Sequence, residues 1–488
     1  MNIYFSNDIR KIDSKAEADG LSIFTLMENS GQALFREVSN LVNKDEEIGI
    51  LAGRGNNGGD AIVLARMLLN HGYKVRLILP FGLPRTEIAQ KHLSYFVACG
   101  YSYTHSMEHE YDVLVDGLFG IGFKPPFSDG TDRLLTFWNK SKAKKIAIDI
   151  PSGVEADRGR VMTAFKADYT LCLHGVKPSA FLVPSADYYG SIKSLDIGLI
   201  QQSGWRVWTE KDVHESWPAL PSYPHKGSFG TGLLIAGSEE MPGCAILAGL
   251  GAMRSGIGKL TIATNKNVAN IVCQRLPEAT YWYHPVKNLK ENKQLSSFKA
   301  AAMGPGLDHD DQLEEKVRFL CAQSDLPLIL DAAALQKRDY PKGRPAPIIL
   351  TPHPGEMARI TGLSVQWINE NRMAVARDFA MEHEVTVVLK GVNTVIAFPD
   401  GTGYINQTGN RGLSKGGTGD TLLGIILGLL CQSKPVAYST AIANAVYLHG
   451  KTSEYWAIDR EPSAMLATDI MEVWPFLLKG FIKKIEGD

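Results

Sequence analysis

The chain has 488 residues, of which 44% are hydrophobic and 21% are charged. This composition excludes wholesale disorder, and the length predicts two large α/β domains rather than a single core. The formal net charge of −1 provides no excess of positive charge to hold a polyanion, so nucleic acid is not an expected partner.

Cysteine usage and hydropathy predict a cytoplasmic protein. The six cysteines are scattered without a C-x-x-C pair, which is typical of reduced core thiols. Residues Met1 to Lys15 mix charges with few apolar side chains and so lack the apolar core of a signal peptide. The longest apolar stretch, Leu422 to Cys431, is about half of the ~20 residues that span a bilayer. We therefore expect no membrane partner.

Short β-branched runs alternate with helical patterns along the chain, which predicts parallel sheets covered by helices. The candidate strands of the N-terminal half are Ile48 to Ala52, Val75 to Leu79, Val113 to Asp116, Ile146 to Ile150 and Tyr169 to Leu173. Those of the C-terminal half are Leu233 to Ala236, Leu260 to Ala263, Ala300 to Met303, Leu328 to Asp331, Ile348 to Leu350, Val385 to Leu389 and Val395 to Phe398.

The two halves are separated by a proline-rich segment. Trp217 to Ser228 carries three prolines and no periodicity, as exposed connections do. We predict α/β domains over residues 1–210 and 229–488, joined by a linker over residues 211–228.

The N-terminal half contains a glycine-rich turn between a strand and the predicted helix Ala61 to Leu69. Residues Ile50 to Asp60 fit G-x-G-x-x-G, so backbone N–H groups can approach a phosphate at the start of the helix. A tight turn needed for packing alone fits the same pattern. The second strand also ends at Leu79 without the acidic residue that conventional dinucleotide domains use for a ribose.

Two more strands of this half end in carboxylates, at Asp116 and Asp149. Open α/β sheets place their ligands at the carboxyl ends of the strands, so these loops are expected to converge on one crevice. Oxygen atoms from Asn57, Asp116 and Ser152 suit a hard cation, while Asp149 remains free to move a proton.

The segments LAGRGNNGGDA, VDGLFGIG and DIPSGV, preceded by Leu26 to Asn29, together resemble the NAD(P)H-hydrate epimerases over residues 1–210. The resemblance implies a Rossmann-like three-layer αβα sandwich, potassium bound by Asn57, Asp116 and Ser152, and substrate contact by Asp149. It implies nucleotide contacts from Asn56, Asn57, Gly58, Gly59, Asp60, Gly120, Ile121, Gly122, Phe123, Lys124, Pro125 and Pro126. Gly117 and Ile121 replace the expected Ala and Thr, a departure that bears on the fine shape of the phosphate loop and not on its chemistry.

The most specific pattern is NRGLSKGGTGD, residues 410 to 420, followed by the apolar helix Thr421 to Cys431. Glycines ahead of a buried helix form an anion hole from unpaired N–H groups. A carboxylate at Asp420, in the first turn, can accept the proton of a hydroxyl that attacks a phosphate. Aspartate also caps helices, but the preceding G-G-x-G argues against a cap alone. No G-x-x-x-x-G-K-[ST] run occurs, so the site is not of the P-loop kind.

A Gly-Asp anion hole at the end of an α/β domain resembles the ribokinase-like superfamily. Further segments narrow this resemblance, and one of them is an Ala-rich helix, Gly243 to Ile257, with a predicted apolar stripe of Ile246, Leu250, Met253 and Ile257. The others are Gly237-Ser238, Met303 to Leu307, Asp331 to Leu335, Thr351 to Glu356 and Leu389 to Thr394. In this order they resemble the ADP-dependent NAD(P)H-hydrate dehydratases over residues 220–485, so the whole chain resembles the bifunctional NAD(P)H-hydrate repair enzymes.

This resemblance implies that the N-terminal domain epimerises the R and S forms of hydrated NADH and NADPH (NADHX and NADPHX). The C-terminal domain would dehydrate the S form at the expense of ADP, with Mg²⁺, giving NAD(P)H, AMP and phosphate. Asp149 and Asp420 are the implied catalytic residues. The implied ADP contacts are Lys390, Gly391, Val392, Asn393, Thr394, Asn410, Gly416, Gly417, Thr418 and Gly419, and those to the hydrated nicotinamide are Ala245, Gly306, His353 and Asp420. Lys415, in SKGGT where ATGGM is expected, adds a candidate phosphate contact.

Alternatives remain open at this point. Gly416 to Asp420 would equally serve a vitamin or sugar kinase, with the N-terminal half as a noncatalytic ligand-binding module. His105 and His109 have the spacing of a zinc pair but lack the H-E-x-x-H order, so zinc is not expected there. A homo-oligomer is expected because small α/β enzymes often pair through surface helices, although no interface is recognisable in the sequence.

Overall fold

The computed structural model describes residues 1–106, 110–127, 130–218, 223, 225, 227–283, 295–323, 325–432 and 437–486. His109 and parts of the predicted linker lie outside these residues. The chain divides into two compact units: unit 1 is Met1–Arg206 with Asn369–Asn371, and unit 2 is Val207–Ile368 with Arg372–Asp488. Within the described residues, no helix combines the length and apolarity needed to cross a membrane.

Unit 1 is a three-layer αβα sandwich. The strands up to residue 207 are β1 (Asn2–Ile3), β2 (Glu47–Ala52), β3 (Lys74–Ile78), β4 (Tyr103–Thr104), β5 (Val113–Gly117), β6 (Lys144–Ile148), β7 (Tyr169–Leu173), β8 (Ser191–Leu195) and β9 (Trp205–Val207). Its helices are α1 (Ser6–Ala18), α2 (Ile23–Leu41), α3 (Asn56–Asn70), α4 (Glu87–Ala98) and α5 (Thr131–Lys140). Seven strands form an all-parallel sheet in the order β4-β3-β2-β5-β6-β7-β8. Apolar clusters cover both faces of this sheet, as parallel sheets require.

The five strands predicted for the N-terminal half are confirmed to within two residues, but the predicted start of the following helix is wrong. Helix α3 begins at Asn56 rather than Ala61, so the run from Asn56 to Asp60 is helical. A Cβ at Gly58 would lie 2.0 Å from the Gly53 carbonyl oxygen. Glycine therefore permits a helix start close against the strand end, where residue propensities alone favour a loop.

Unit 2 is also built on a central sheet. The strands are β10 (Thr231–Ile235), β11 (Lys259–Ala263), β12 (Thr280–Trp282), β13 (Ala300–Met303), β14 (Leu328–Leu330), β15 (Ile348–Leu350), β16 (Thr386–Leu389), β17 (Thr394–Ala397) and β18 (Gly403–Asn406). The helices from residue 210 onward are α6 (Glu210–Ser216), α7 (Pro242–Arg254), α8 (Lys266–Val272), α9 (Asp311–Gln323), α10 (Pro354–Thr361), α11 (Val365–Glu370), α12 (Arg372–His383), α13 (Thr418–Gln432), α14 (Tyr438–Trp456) and α15 (Ala467–Glu486). The strand order is β18-β17-β16-β15-β14-β13-β10-β11-β12.

All seven strands predicted for the C-terminal half are confirmed, but parallel pairing is wrong at one end of the sheet. β16, β17 and β18 pair antiparallel, whereas the other pairs are parallel. The connections 390–393 and 398–402 are too short for the crossover that parallel neighbours need.

The predicted linker is wrong for residues 211–216, which form helix α6. The Thr209 hydroxyl accepts from the Asp212 N–H, and the Asp212 carboxylate accepts from the Thr209 N–H, which makes a capping box. Val213 is fully buried in the core of unit 2. A helix of seven residues is too short to show the periodicity on which the sequence prediction depended.

Helices α7 and α13 pack closely in unit 2, through small residues. Helix α7 ends at Arg254, and its buried face consists of Ala245, Ala248, Gly249, Gly251 and Ala252. The predicted apolar stripe also packs against the core of unit 2: Ile246, Leu250 and Met253 are half-buried, and buried Ile257 lies beyond the end of the helix. A Cβ at Gly424 of α13 would lie 2.0 Å from the Ala248 carbonyl oxygen, so glycine is required there.

We expect Gly424→Ala to lower the free energy of unfolding by about 2 kcal/mol, because backbone atoms of α7 must move to admit the methyl group. Urea unfolding measures this change. Gly480→Ala is the matched control, since a Cβ there meets no atom within 4 Å, and it should stabilise helix α15 by about 0.5–1 kcal/mol. Unchanged stability of Gly424→Ala would contradict the close contact of the helices.

Candidate active sites

The three residues that the sequence analysis assigned to potassium lie together in unit 1, at the carboxyl ends of adjacent strands. Asp116 is fully buried, and its carboxylate accepts from the Ser152 hydroxyl at 2.6 Å and the Ser152 N–H at 2.8 Å. The Asn57 side-chain amide donates to the Phe119 carbonyl at 3.0 Å, and the Phe119 N–H donates to the Ser152 hydroxyl at 3.0 Å.

This cluster fits a hard cation. Burial raises the pKa of Asp116 to about 6, although hydrogen bonds from Ser152 and Leu118 oppose the shift. Among the described residues, no basic side chain pairs with the Asp116 carboxylate. A bound cation would offset the cost of burying this charge, and carboxylate, hydroxyl and amide oxygens are hard ligands.

Asp149 follows β6 and is held by a buried lysine. Its backbone is left-handed at φ 67°, a conformation that side chains other than Gly and Asn rarely adopt. The Asp149 carboxylate accepts from the Leu173 N–H at 3.0 Å and from the Lys177 ammonium, which is 1% exposed. Lys177 also donates to the Leu173 and Gly175 carbonyls. The sequence analysis missed Lys177, because no pattern in the residues around it indicates that it pairs with Asp149.

Two further carboxyl groups share the crevice with Asp149. Asp60 is 8% exposed, and burial raises its pKa well above the usual range, with Asp149 and Asp13 raising it further and Lys177 lowering it. The pKa of Asp13 is also raised, by burial and then by Asp149. The raised pKa values of Asp60 and Asp13 favour their protonated forms, beside the ion pair of Asp149 with Lys177.

The two predicted nucleotide loops of unit 1 differ in exposure. Gly58 and Gly59 are buried by packing, since a Cβ at Gly59 would lie 2.5 Å from the Met27 sulfur. Asn56 is exposed and open to a ligand. The residues from Gly120 to Pro126 are exposed or half-buried. Phe123, Pro125 and Pro126 line a cavity of about 610 Å³, together with residues that include Gly153, Arg133 and Arg160.

In unit 2, Asp420 lies in the first turn of α13, as predicted. Burial raises its pKa to about 6, and a hydrogen bond with the Cys244 thiol opposes the shift. The Lys390 ammonium donates to the Asp331 carboxylate at 2.8 Å and lies 3.8 Å from the Glu356 carboxylate. A Cβ at Gly419 would be 3.3 Å from the Lys390 nitrogen, so this cation faces the start of α13. The Asp420 carboxylate, the Lys390 ammonium and the unpaired N–H groups at the start of α13 therefore lie close together.

His353 caps helix α10 rather than lying free in a loop. Its Nδ1 accepts from the Gly355 and Glu356 N–H groups at 3.0 and 3.3 Å. The Glu356 carboxylate accepts from the His353 N–H at 2.8 Å. With Nδ1 used as an acceptor, the neutral ring carries its proton on Nε2, and the side chain is 57% exposed. His353 therefore presents a fixed donor to a ligand.

Arg372 holds the start of the predicted ADP loop, Lys390 to Thr394, through hydrogen bonds. This buried guanidinium donates to the Leu389 and Lys390 carbonyls at 2.7 and 3.1 Å, and burial lowers its pKa to about 10. A Cβ at Gly391 would lie 2.9 Å from the guanidinium. The sequence analysis missed Arg372, which lies on α12 and shows no motif.

The second predicted ADP loop is shaped by its own hydrogen bonds. The Asn410 side chain accepts from the Gly412 N–H at 2.9 Å and donates to the Ser453 carbonyl at 2.8 Å. The Thr418 hydroxyl donates to the Leu413 and Lys415 carbonyls. Lys415 and Gly416 are exposed, and a Cβ at Gly416 would meet nothing within 4 Å. Lys415 and Gly416 are therefore open to a ligand, while Asn410 and Thr418 hold the loop.

The side chain of Ala245 is packed inside unit 2, and its predicted contact with the hydrated nicotinamide stays a prediction. It is fully buried, and a Cβ at Gly237 would lie 3.0 Å from its own Cβ. The neighbouring Cys244, which the sequence analysis did not identify, contacts Asp420. Gly306 lies beside it at φ 63°, with its Cβ position 2.8 Å from the Cys244 Cβ.

Both units of the chain match known protein families. The family model described as YjeF-related protein N-terminus matches residues 24–179, and the NAD(P)H-hydrate dehydratase model matches residues 232–475. The "Bifunctional NAD(P)H-hydrate repair enzyme Nnr" of Moorella thermoacetica is 33% identical over 94% of this chain and 93% of its own length. This chain belongs to the bifunctional NAD(P)H-hydrate repair enzyme family.

The C-terminal part of this repair enzyme has relatives of its own. The "ADP-dependent (S)-NAD(P)H-hydrate dehydratase" of Bacillus subtilis is 46% identical over 56% of the chain and 98% of its own length. A crystal structure of the Bacillus subtilis ADP/ATP-dependent NAD(P)H-hydrate dehydratase, co-crystallized with ATP/Mg2+, covers 57% of this chain and 98% of its own with a TM-score of 0.54. A ribokinase-like superfamily protein of Enterococcus faecalis aligns over 58% of the chain with a TM-score of 0.51.

These findings confirm the predicted bifunctional enzyme, an NAD(P)H-hydrate epimerase joined to an ADP-dependent NAD(P)H-hydrate dehydratase. They also confirm the predicted ribokinase-like α/β fold of unit 2. Nucleotides are the small-molecule ligands of this enzyme. The role of each site residue, the domain limits at 210 and 229, a homo-oligomer, a cytoplasmic location and the exclusion of nucleic acid stay predictions.

Proposed function

We propose that Asp420 is the general base of an ADP-dependent dehydration. The observation that supports this role is a half-buried carboxyl group in the first turn of α13, beside a loop of exposed and half-buried glycines and the Lys390 cation. Helix N-termini bind phosphate, and a carboxylate next to bound phosphate can accept the proton of an attacking hydroxyl.

The reaction then proceeds in two balanced steps. Asp420 accepts the proton of the ring hydroxyl. The oxygen of that hydroxyl bonds to the β-phosphorus of ADP, and AMP departs. The C–O bond then breaks, phosphate leaves, and the neighbouring ring carbon loses a proton to the departing phosphate, which restores the double bond of NAD(P)H. Lys390 stabilises the charge that develops on the phosphoryl oxygens.

Magnesium would shield the ADP oxygens in this step. Asp331 and Glu356 offer hard carboxylate oxygens close to Lys390, and they are the residues that would approach such an ion. Both carboxylates also contact Lys390. They would therefore position the Lys390 ammonium even if the magnesium ion contacts only the nucleotide.

In unit 1, we propose that Asn57, Asp116 and Ser152 bind potassium beside the substrate phosphates. Asp149, which is ion-paired with Lys177, accepts the proton of the ring hydroxyl, and Asp60, whose pKa burial raises, donates a proton to the ring nitrogen as the ring C–N bond breaks. The reverse transfers re-form the C–N bond on the other face of the resulting carbonyl group and invert the carbon. Asn56, Asp60 and the loop from Gly120 to Pro126 would surround the dinucleotide.

The direct test incubates the full chain with NADHX and either ADP or ATP. The expected result is recovery of the absorbance of reduced nicotinamide, with one AMP and one phosphate formed for each NADH when ADP is supplied. A stable phosphoester with no recovery of absorbance would instead establish a ribokinase-like small-molecule kinase.

The pH dependence of dehydration gives a second test of Asp420. A base acts in its ionised form, so kcat/KM should fall as the pH drops through about 6, the pKa to which burial raises this carboxyl group. Cys244→Ala removes a hydrogen bond that lowers the pKa of Asp420, so the midpoint of the kcat/KM profile should move to higher pH. Cys273→Ala, at an exposed cysteine, is the control and should leave it unchanged. A flat profile between pH 5 and 7 contradicts this role.

A further inference from the structure

Unit 2 contains a cavity of about 440 Å³ that the mechanism above does not use. It lies at the carboxyl ends of β10 and β11, and its walls include Gly237, Ser238, Asn265, Tyr283, Asp308 and Lys316. None of the lining residues belongs to the loops 390–394 and 410–419 that were assigned to ADP. The volume falls within the ~300–1,000 Å³ typical of small-molecule pockets.

This cavity begins one residue beyond the predicted nicotinamide contact. Leu307 lines the cavity, and the Cβ position of its neighbour Gly306 is 2.8 Å from the Cys244 Cβ. The Cys244 thiol in turn hydrogen-bonds to Asp420. The Gly237 N–H donates to the Pro305 carbonyl at 2.9 Å, which ties the cavity wall to the same loop. A ligand whose reacting end contacts Asp420 can therefore extend into the cavity.

Ser238 provides an independent sign of a ligand. The residue is 6% exposed, and its hydroxyl has no hydrogen-bond partner within the described part of the chain. A buried hydroxyl without a partner costs free energy, so such groups usually have one. Because Ser238 lines the cavity, a polar ligand there would supply the missing hydrogen bond.

The carboxylates of Asp308 and Asp310 favour a ligand with a ribose 2′-hydroxyl over one with a 2′-phosphate. The Asp310 carboxylate accepts from the Leu313 N–H at 2.7 Å and caps α9, whereas exposed Asp308 has no hydrogen bond to a described residue. Lys316 is half-buried, and burial lowers its pKa although Asp310 and Asp308 oppose this. Carboxylates accept from the 2′-hydroxyl of an NAD ribose, while a 2′-phosphate beside them is repelled. The exposed ring of Tyr283 offers a face for a base.

We propose that this cavity binds the adenosine half of the hydrated dinucleotide, and that Asp308 makes the dehydratase prefer NADHX over NADPHX. Tyr283 contacts the adenine, Asp308 accepts from the ribose 2′-hydroxyl, and Lys316 with Ser238 contacts the pyrophosphate. This inference rests on the proposed function, and it adds the part of the substrate that sets the preference.

The experiment compares kcat/KM of the full chain, with saturating ADP, on NADHX, NADPHX and the hydrate of reduced nicotinamide mononucleotide, which lacks the adenosine half. For the wild type we expect NADHX to exceed NADPHX by about tenfold or more. Asp308→Asn should reduce this ratio by about tenfold. Ser238→Ala should lower the values for both NADHX and NADPHX by about tenfold, because a buried hydrogen bond to the pyrophosphate that they share is lost. Turnover of the mononucleotide hydrate should stay unchanged in both variants.

Asp339→Asn is the matched control, since this exposed aspartate of unit 2 does not line the cavity. A wild-type preference for NADPHX, or equal losses on all three hydrates in the cavity variants, would overturn the inference while leaving the proposed dehydration intact. Failure of every hydrate to react with ADP would overturn the proposed function itself, and the inference with it.

Discussion

Asp420→Asn is expected to slow ADP-dependent dehydration by roughly 100- to 10,000-fold, while the Kd for ADP changes by no more than about twofold. Asparagine keeps the shape of the side chain and the start of α13, but it cannot accept the hydroxyl proton. The phosphate-binding N–H groups belong to the backbone and are unaffected. Single-turnover absorbance measurements give the rate, and calorimetric titration gives the ADP affinity.

Asp469→Asn is the matched control for this substitution. Asp469 lies in the first turn of α15 and accepts from the Leu466 N–H at 2.7 Å, a capping contact that asparagine preserves. Its dehydration rate should equal that of the wild type, and the epimerase activity of Asp420→Asn should also be intact. Wild-type turnover in Asp420→Asn would exclude this residue as the base.

The second large effect is expected for Asp149→Asn, which should slow conversion of the R epimer to the S epimer by roughly 100- to 10,000-fold. Asparagine tolerates the left-handed backbone at this position better than most residues, so the local fold should be kept. It cannot accept a proton, and it no longer balances the charge of Lys177. Chromatographic separation of the two epimers without ADP measures the rate free of dehydration.

Asp187→Asn, at an exposed aspartate of unit 1, is the control and should epimerise at the wild-type rate. Dehydration of the pure S epimer should be unaffected in both variants, because that reaction uses unit 2. If Asp149→Asn equilibrates the epimers as fast as the wild type, Asp149 is not the group that moves the proton.

Much of the fold was predictable because buried parallel strands are locally apolar and end in turn residues. The twelve predicted strands all occur, whereas short or edge strands such as β4, β8 and β12 were missed. In β8, the alternation of exposed and half-buried residues from Ser191 onward gives little apolar signal. The start of α3 and the antiparallel pairing of β16 to β18 depend on close contacts and short connections rather than on residue preference.

The candidate sites were predictable where glycines mark a turn and a carboxylate follows it. Asp420 and Asp149 both lie at such points, so the sequence pattern located them. Lys177, Asp13 and Arg372 were missed, because each acts on partners distant in the sequence that only folding brings near. Cys244 was missed for a different reason: it neighbours the expected Ala245, and only the turn of α7 shows which of the two faces Asp420.

The most direct test of the account follows the oxygen of the hydrated ring. The S form of NADHX, labelled with heavy oxygen at its ring hydroxyl, is converted to NADH with ADP and the full chain, and the released phosphate is analysed by mass spectrometry. If Asp420 activates that hydroxyl to attack ADP, the label must appear in the phosphate. Label found in water, with unlabelled phosphate, would contradict phosphoryl transfer to the ring hydroxyl.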